Sequence, residues 1–406
     1  MLDVMKIRKD FPFFANHTVA YLDNSATSQR PNLVLEAERK FYETMNANPM
    51  RGLYQVSIEA TDAYEQAREK VASFLHARKS LEIIFTRNAS ESLNLAAYCL
   101  GESLLEEGDE ILTTVMEHHS NMLPWRQIAQ RKGAKVVYLN CDETGEITRE
   151  EFCKKLSDRT KIVAMTQVSN VFGRENPLET FIPLAHEKGA VFVVDGAQSV
   201  PHQKVDVQEL DADFLAFSGH KMLAPMGIGV LYGKEEWLEK LPPFLTGGEM
   251  IETVSLEDVT YAELPHRFEA GTVNAGGAVA LGAAVDYYEQ IGMDNIVQRE
   301  LALSRYMDEK LRKVPYVKVL GDEDPDHHHG IFTFLLEGVH PHDVAAIMDM
   351  ANVAVRAGHH CAEPLHRVLG VGSTTRASLQ FYNTEEEIDR FIAALSEIRR
   401  QMGYGE

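Results

Sequence analysis

Short, almost wholly apolar runs recur through the middle of the chain, at residues 82–86, 110–115, 135–139, 161–166, 191–195, 213–217 and 227–232. Longer amphipathic stretches separate them, at 90–105, 124–132, 149–156 and 183–188. A run that is apolar throughout, rather than alternating, belongs to a strand covered on both faces, and amphipathic helices supply the cover. The pattern therefore predicts an α/β domain built on a mostly parallel central sheet. Helical periodicity follows over 278–291 and 296–312. After it the character changes: strands are predicted at 316–320, 331–336 and 353–356, and helices at 343–350 and 385–402, which reads as a smaller α+β domain. We place a large domain at 21–292 and a small one at 1–20 with 293–406, the first twenty residues packing with the C-terminal part.

A length of 406 residues is more than one hydrophobic core usually serves, which agrees with two domains. Forty Lys and Arg against 61 Asp and Glu leave a net charge of -21, a surface that repels phosphate backbones and argues against nucleic-acid binding. The first ten residues mix charges and lack the apolar segment of a signal peptide, and no window is apolar for long enough to span a membrane. The four cysteines, Cys99, Cys141, Cys153 and Cys361, include no C-x-x-C pair and make no disulfide framework, so a reducing, cytoplasmic setting is expected. Three consecutive histidines at 327–329 read as part of a solvated polar loop, and no metal site is expected.

Candidate chemistry starts where the run 191–195 ends on an acid, Asp195. A carboxylate at the end of a buried strand needs a partner. Lys221 stands 26 positions further on, in Ser218-Gly-His-Lys-Met, directly after the run 213–217 and at the sheet edge where ligands meet open α/β sheets. A lysine to bind an aldehyde and an acid to keep a ring nitrogen protonated are the two parts that pyridoxal-phosphate (PLP) chemistry requires. The rival reading is a helix-capping aspartate and an unrelated surface lysine. Cys361 lies in Gly358-His-His-Cys-Ala, where nearby positive charge would stabilise a thiolate; a nucleophile is favoured over an inert core thiol or a zinc ligand. Arg376 offers a planar fork suited to a carboxylate. Ala89 and Ser90 open a helix, either as an anion site or as a plain N-cap.

Eight stretches together are far more specific than any one: EHHSN (117–121), VSNVFG (168–173), VDGAQS (194–199), SGHKM (218–222), GGEMI (247–251), RFEAGT (267–272), RAGHHCAEPL (356–365) and RASL (376–379). With YLDNSAT from Tyr21, they make nearly the whole chain resemble the class V, fold type I PLP enzymes, and most closely the group II (SUF-type) cysteine desulfurases. The resemblance implies pyridoxal 5'-phosphate bound through Lys221, Asp195 on the ring nitrogen, and His118 stacked on the ring and passing protons. It assigns the ring oxygen to Gln198, with Asn170 near that oxygen and the substrate, and the phosphate to Ala89, Ser90, Ser218 and His220. Thr272 would reach the phosphate of a neighbouring subunit, which implies a homodimer. Arg376 would hold the substrate carboxylate, Arg356 would assist, and Cys361 would take sulfur from L-cysteine as a persulfide, leaving L-alanine. The implied partner is a protein sulfur acceptor of iron–sulfur assembly. Selenocysteine lyase, another class V transaminase or lyase, and a non-enzymatic scaffold on a PLP fold are the alternatives. Two departures stand out: Asn88-Ala89-Ser90 where many relatives have Gly-Thr-Thr, and Leu223-Ala224-Pro225-Met226 where many have Cys-Gly-Pro-Thr.

Overall fold

The computed structural model describes residues 2–404. All seven apolar runs form one sheet, in the order Ile83–Thr86, Gly229–Gly233, Phe214–Ser218, Val191–Asp195, Thr160–Thr166, Glu110–Thr114, Lys135–Leu139. Gly229–Gly233 runs antiparallel to both of its neighbours and every other pairing is parallel. Side chains alternate across a strand, and the cores show it. Phe192, Val194, Leu215 and Phe217 enter one hydrophobic cluster, while Val191, Val193, Phe214 and Ala216 enter another on the opposite face. The helices Ala89–Leu104 and Leu123–Lys132 contribute to the second cluster; Gln55–Phe74, Leu178–Glu187 and Ala275–Ile291 contribute to the first.

The helix read at 183–188 begins earlier, at Leu178. Pro183, where the expected span opens, lies inside the helix. Leu178, Phe181, Ile182 and Ala185, at i, i+3, i+4 and i+7, are all buried, and that apolar stripe outweighs the roughly 3 kcal/mol that an internal proline costs. The helices Asn32–Thr44 and Gln55–Phe74 were not anticipated. The second turns Ser57, Ala60, Tyr64, Ala67, Arg68, Val71 and Ala72 inward, a face made mostly of small residues and interrupted by a serine and an arginine.

The smaller sheet has the order Val317–Val319, Ile331–Leu336, Thr374–Ser378, Arg356–Gly358, antiparallel throughout. The strand anticipated at 353–356 divides: Val353–Ala354 pairs in parallel with Ala20–Tyr21, and Arg356–Gly358 joins the four-stranded sheet. A third cluster, including Leu303, Met307, Phe332, Phe334 and Phe391, backs this sheet. The N-terminal segment bridges the two parts, because Phe11 packs on both Tyr287 (5.8 Å) and Tyr382 (4.8 Å).

The loop holding His327, His328 and His329 is not simply solvated. His328 is buried and stacks on Phe332 at 4.9 Å. The loop docks on Gly173, where a Cβ would lie 1.8 Å from the His328 carbonyl oxygen, so only glycine admits the contact. No helix among the described residues is long and apolar enough to cross a membrane.

One buried ion pair ties the sheet edge to the helices. Arg68 donates to both oxygens of Glu269 (2.7 and 2.9 Å) and to the Ile83 carbonyl (2.7 Å), while the Phe85 N–H and the Tyr64 hydroxyl also donate to Glu269. Removing one partner strands the other's charge in the core, so Glu269→Ala should cost about 3–5 kcal/mol of stability. Urea unfolding midpoints of the two proteins check this; equal midpoints contradict it.

Candidate active site

The parallel strands deliver their candidate residues at one edge. Asp195 and Ser218 are the last residues of their strands, Asn170 follows the strand ending at Thr166, and His118 follows the one ending at Thr114. The chain steps from Glu110–Thr114 out to Lys135–Leu139 and then back across to Thr160–Thr166, a switch of strand order of the kind that opens a crevice at carboxyl ends. The smaller sheet closes that crevice from above. Arg356 and Arg376 are cross-strand partners, and Thr374 lies two residues before Arg376, so all three share one face. The result is a cleft of about 590 Å³ lined by Ala89, Ser90, His118, Asn170, Asp195 and Gln198, and by Ser218, His220, Lys221, Arg356, Cys361 and Arg376. Thr272 is exposed and is not among the cleft's lining residues.

Lys221 and Asp195 face each other electrostatically at the base of the cleft. Desolvation brings the Lys221 amine down from 10.5 to about 8; the Asp195 charge opposes this and Arg376 adds to it. Asp195 is 4% exposed, and burial raises its carboxyl although the Ala197 N–H donates to Oδ1 at 3.0 Å and Lys221 pulls the other way. His118 is brought down to about 3, chiefly by burial and then by Lys221, so its ring is neutral. Its Nδ1 accepts the Ser120 N–H at 3.1 Å, which assigns the proton to Nε2. Behind it, buried Glu117 accepts from Thr114 Oγ1 (2.7 Å) and Asn121 Nδ2 (2.6 Å) and pins the turn that presents His118.

At the opposite end, Asn88 caps the helix Ala89–Leu104 through its side chain, and the Ala89 N–H donates to Ser218 Oγ at 2.8 Å. Gly229 permits the approach, since a Cβ there would lie 2.4 Å from Asn88 Cα. Ser90 Oγ meets Ser120 Oγ at 2.6 Å. His220 is brought down to about 4, first by burial and then by Lys221. Gln198 donates through Nε2 to the Ser25 carbonyl at 3.0 Å and leaves its buried Oε1 without a partner among the described residues.

Arg376 is 3% exposed, and burial lowers it to about 10. It donates from Nη1 to the Asn170 carbonyl at 2.8 Å, and its Nη2 lies 3.6 Å from Asp23. Asp23 also takes Arg356 in a two-pronged contact (3.1 and 2.8 Å). Cys361 is exposed on a turn where it and His360 both adopt left-handed backbone, φ 57° and 51°. Such non-glycine residues each cost about 1–3 kcal/mol and persist only when held. Here Asn170 Nδ2 donates to the His360 carbonyl (2.6 Å) and the His119 N–H to the Cys361 carbonyl (2.7 Å). By contrast, burial pushes Cys99 up to about 12 and Cys141 up to about 11. Among the described residues, no group of three or more His, Cys, Asp or Glu is placed to hold a metal ion.

The model of the family described as aminotransferase class V matches residues 20–391. The chain belongs to the class V aminotransferase family. Its relatives within that family include a probable cysteine desulfurase of Synechocystis sp., 48% identical over 96% of this chain and 94% of the relative. Another, from Halalkalibacterium halodurans, is 47% identical over 99% of this chain and 100% of the relative. Two solved structures superpose closely. The apo cysteine desulfurase of Thermococcus onnurineus NA1 gives a TM-score of 0.95 at 43% identity, covering 99% of both chains. The Escherichia coli cysteine desulfurase CsdA, in an S-sulfonic acid form, gives 0.92 at 37%, again covering 99% of both.

The class V cleft of this chain fits PLP. A desolvated lysine interacts with a buried carboxylate, backbone N–H groups and hydroxyls gather at a helix N-terminus, and an unsatisfied amide oxygen belongs to a residue lining the same cleft. Asp23, Ser25, His119, Ser120 and His360 are among the residues in or beside the cleft that the motifs did not single out. Asp23 lies inside YLDNSAT, and a lone acid there carries no separate signal. His119 and His360 stand beside residues that were singled out.

Proposed function

We propose that this chain is a PLP-dependent cysteine desulfurase, in which Cys361 receives the sulfur of L-cysteine and L-alanine is released. The observation that carries the reading is the exposed Cys361, held on a constrained turn of a cleft that also contains Lys221, Asp195 and Arg376. Lys221 would hold the cofactor, Asp195 its ring nitrogen, His118 its face, Gln198 its ring oxygen, and Ala89, Ser90, Ser218 and His220 its phosphate. When bound, PLP supplies an electron sink for the bond broken at the substrate's Cα. Arg376, assisted by Arg356, fixes the substrate carboxylate, and Asn170 braces Arg376 through its carbonyl. The freed amine of Lys221, with its lowered proton affinity, takes the Cα proton. The Cys361 thiolate attacks the substrate Sγ: the S–S bond forms, the Cβ–Sγ bond breaks, and its electron pair stays with carbon. Protons return to carbon, with the Nε2–H of His118 directed to that task. The balance is L-cysteine plus Cys361 thiol giving L-alanine plus Cys361 persulfide.

A persulfide on the enzyme must be collected, so a protein sulfur acceptor of the iron–sulfur assembly pathway is the inferred partner. The group II assignment is supported by the compact segment after Cys361, which folds into the helix Glu363–Val368 before the strand Thr374–Ser378 begins. A homodimer, with Thr272 serving the cleft of a second copy, is supported by its exposure. A cytoplasmic location is supported by four free thiols. We read residues 21–292 as the cofactor domain and 1–20 with 293–406 as the domain that brings Cys361 and Arg376; Met1, Gly405 and Glu406 of that range lie outside the described residues. Alanine formation from L-cysteine by the purified protein tests the activity; its absence, with PLP bound, overturns the reading.

Arg376→Ala removes a desolvated, two-pronged carboxylate contact, worth about 2–5 kcal/mol. The KM for cysteine should rise at least about tenfold, each tenfold step being about 1.4 kcal/mol, with the cofactor spectrum unchanged. Arg376→Lys should recover only part, since an ammonium lacks the planar fork. Steady-state kinetics decide it, and unchanged constants move the carboxylate site to Arg356.

A further inference from the structure

The hydroxyl of Thr374 stands between two imidazoles, 2.9 Å from His360 Nε2 and 2.9 Å from His366 Nε2. Proton accounting fixes who donates. His366 Nδ1 meets the Ala362 carbonyl at 3.0 Å, and a carbonyl only accepts, so this nitrogen carries the proton. Burial lowers His366 and so favours the neutral ring, in which Nε2 is a bare lone pair that takes the Thr374 hydroxyl proton. The other acceptor near that hydroxyl, the Gly358 carbonyl at 3.5 Å, is too distant to compete. With its single proton committed, Thr374 Oγ1 can only accept from His360, which must donate through Nε2–H. Burial and then the Arg376 charge hold His360 far below the usual imidazole range, so its Nδ1 is left as a lone pair. That nitrogen is buried without a hydrogen-bond partner among the described residues, on a side chain 7% exposed. Arg376 follows Thr374 by two residues and shares its face, and the Arg376 Nε–H is buried and unpartnered as well. An orphan acceptor on the turn that follows Arg356–Gly358 and an orphan donor on the strand Thr374–Ser378 thus line the same cleft, close enough for the Arg376 charge to act on the His360 ring.

Resting on the assignment of Arg376 as the carboxylate site, we propose that His360 is the positioning residue of that arginine: the chain His366–Thr374–His360 locks it as the Nε2–H tautomer, and its Nδ1 receives the Arg376 Nε–H when the guanidinium turns to grip a carboxylate. The other tautomer would aim an N–H at the guanidinium and push it away. The lock removes that tautomer and leaves the Nη groups for Asn170 and the ligand.

The test uses the PLP-loaded enzyme and two sulfur-free probes, L-alanine and ethylamine, which both offer an amine but differ in the carboxylate. Binding is read from cofactor absorbance. Thr374→Val, which removes the hydroxyl at nearly constant shape, should weaken L-alanine at least about fivefold while leaving ethylamine within about twofold. Thr374→Ser should restore alanine binding. Should Thr374→Val not accumulate as folded protein, His366→Leu carries the same expectation, because it releases the Thr374 proton to His360. Equal weakening of both probes, or of neither, overturns the proposal. Arg376→Ala separates the two layers: it should abolish the preference for alanine over ethylamine, and a preference that survives it refutes the arginine assignment itself.

Discussion

Cys361→Ser is expected to bind the cofactor and to change its absorbance on addition of L-cysteine as the parent chain does, yet to turn cysteine over on the order of 10³-fold more slowly or worse. The separation follows from the layout. Cys361 comes from the turn after the strand Arg356–Gly358, while the cofactor's proposed contacts come from the carboxyl edge of the large sheet and the helix Ala89–Leu104. A serine hydroxyl keeps the shape of the turn, but at neutral pH it is a far poorer nucleophile toward sulfur than a thiolate. Steady-state alanine formation and the spectrum are the two measurements. Selenocysteine cleavage that survives the substitution would indicate that the large-sheet machinery alone serves the more reactive substrate. Unimpaired desulfuration of cysteine would remove Cys361 from the mechanism.

Lys221→Ala should abolish turnover at the step before sulfur is touched. Two proposed duties end together: covalent retention of the cofactor and removal of the Cα proton. Borohydride reduction should fix PLP to the peptide containing Lys221 in the parent chain and leave no covalent cofactor on Lys221→Ala. In the parent apo protein, the rate of covalent PLP capture should rise with pH and level off above about 8, where desolvation places the amine. The sign follows from burial lowering the amine, since the neutral form is the reactive one and grows as pH increases. Borohydride-fixed PLP on Lys221→Ala would put the attachment elsewhere.

How much of this was legible in the sequence depends on whether the signal was local. The strand Val191–Asp195 is buried on both faces, so its residues read as one apolar run ending on a functional acid, and Lys221 follows the next such run. The cleft then brings together the lysine, the acid, the cysteine and the arginine from motifs spread over much of the chain. What stayed hidden was non-local or chemically quiet. The helix Gln55–Phe74 buries Ser57 and Arg68 among alanines, Tyr64 and Val71, so small and polar residues interrupt the apolar stripe that would mark it. Asp23 acts by holding Arg356 and Arg376, residues more than three hundred positions away, and nothing in its neighbours marks that task. The tautomer lock at His360 exists only once Thr374 and His366 are folded around it. The helix Leu178–Glu187 runs through Pro183 because a proline's place in a helix is decided by what the helix buries.

Cys361 is proposed to receive the substrate's sulfur. The direct measurement is mass spectrometry of the PLP-loaded chain after brief exposure to L-cysteine, with thiols alkylated and the protein digested. The expected result is the mass of one added sulfur on the peptide carrying Cys361, alanine released in equal amount, and no added sulfur at Cys99, Cys141 or Cys153. Alanine released while the Cys361 peptide stays unmodified, or sulfur found on another cysteine instead, would contradict it.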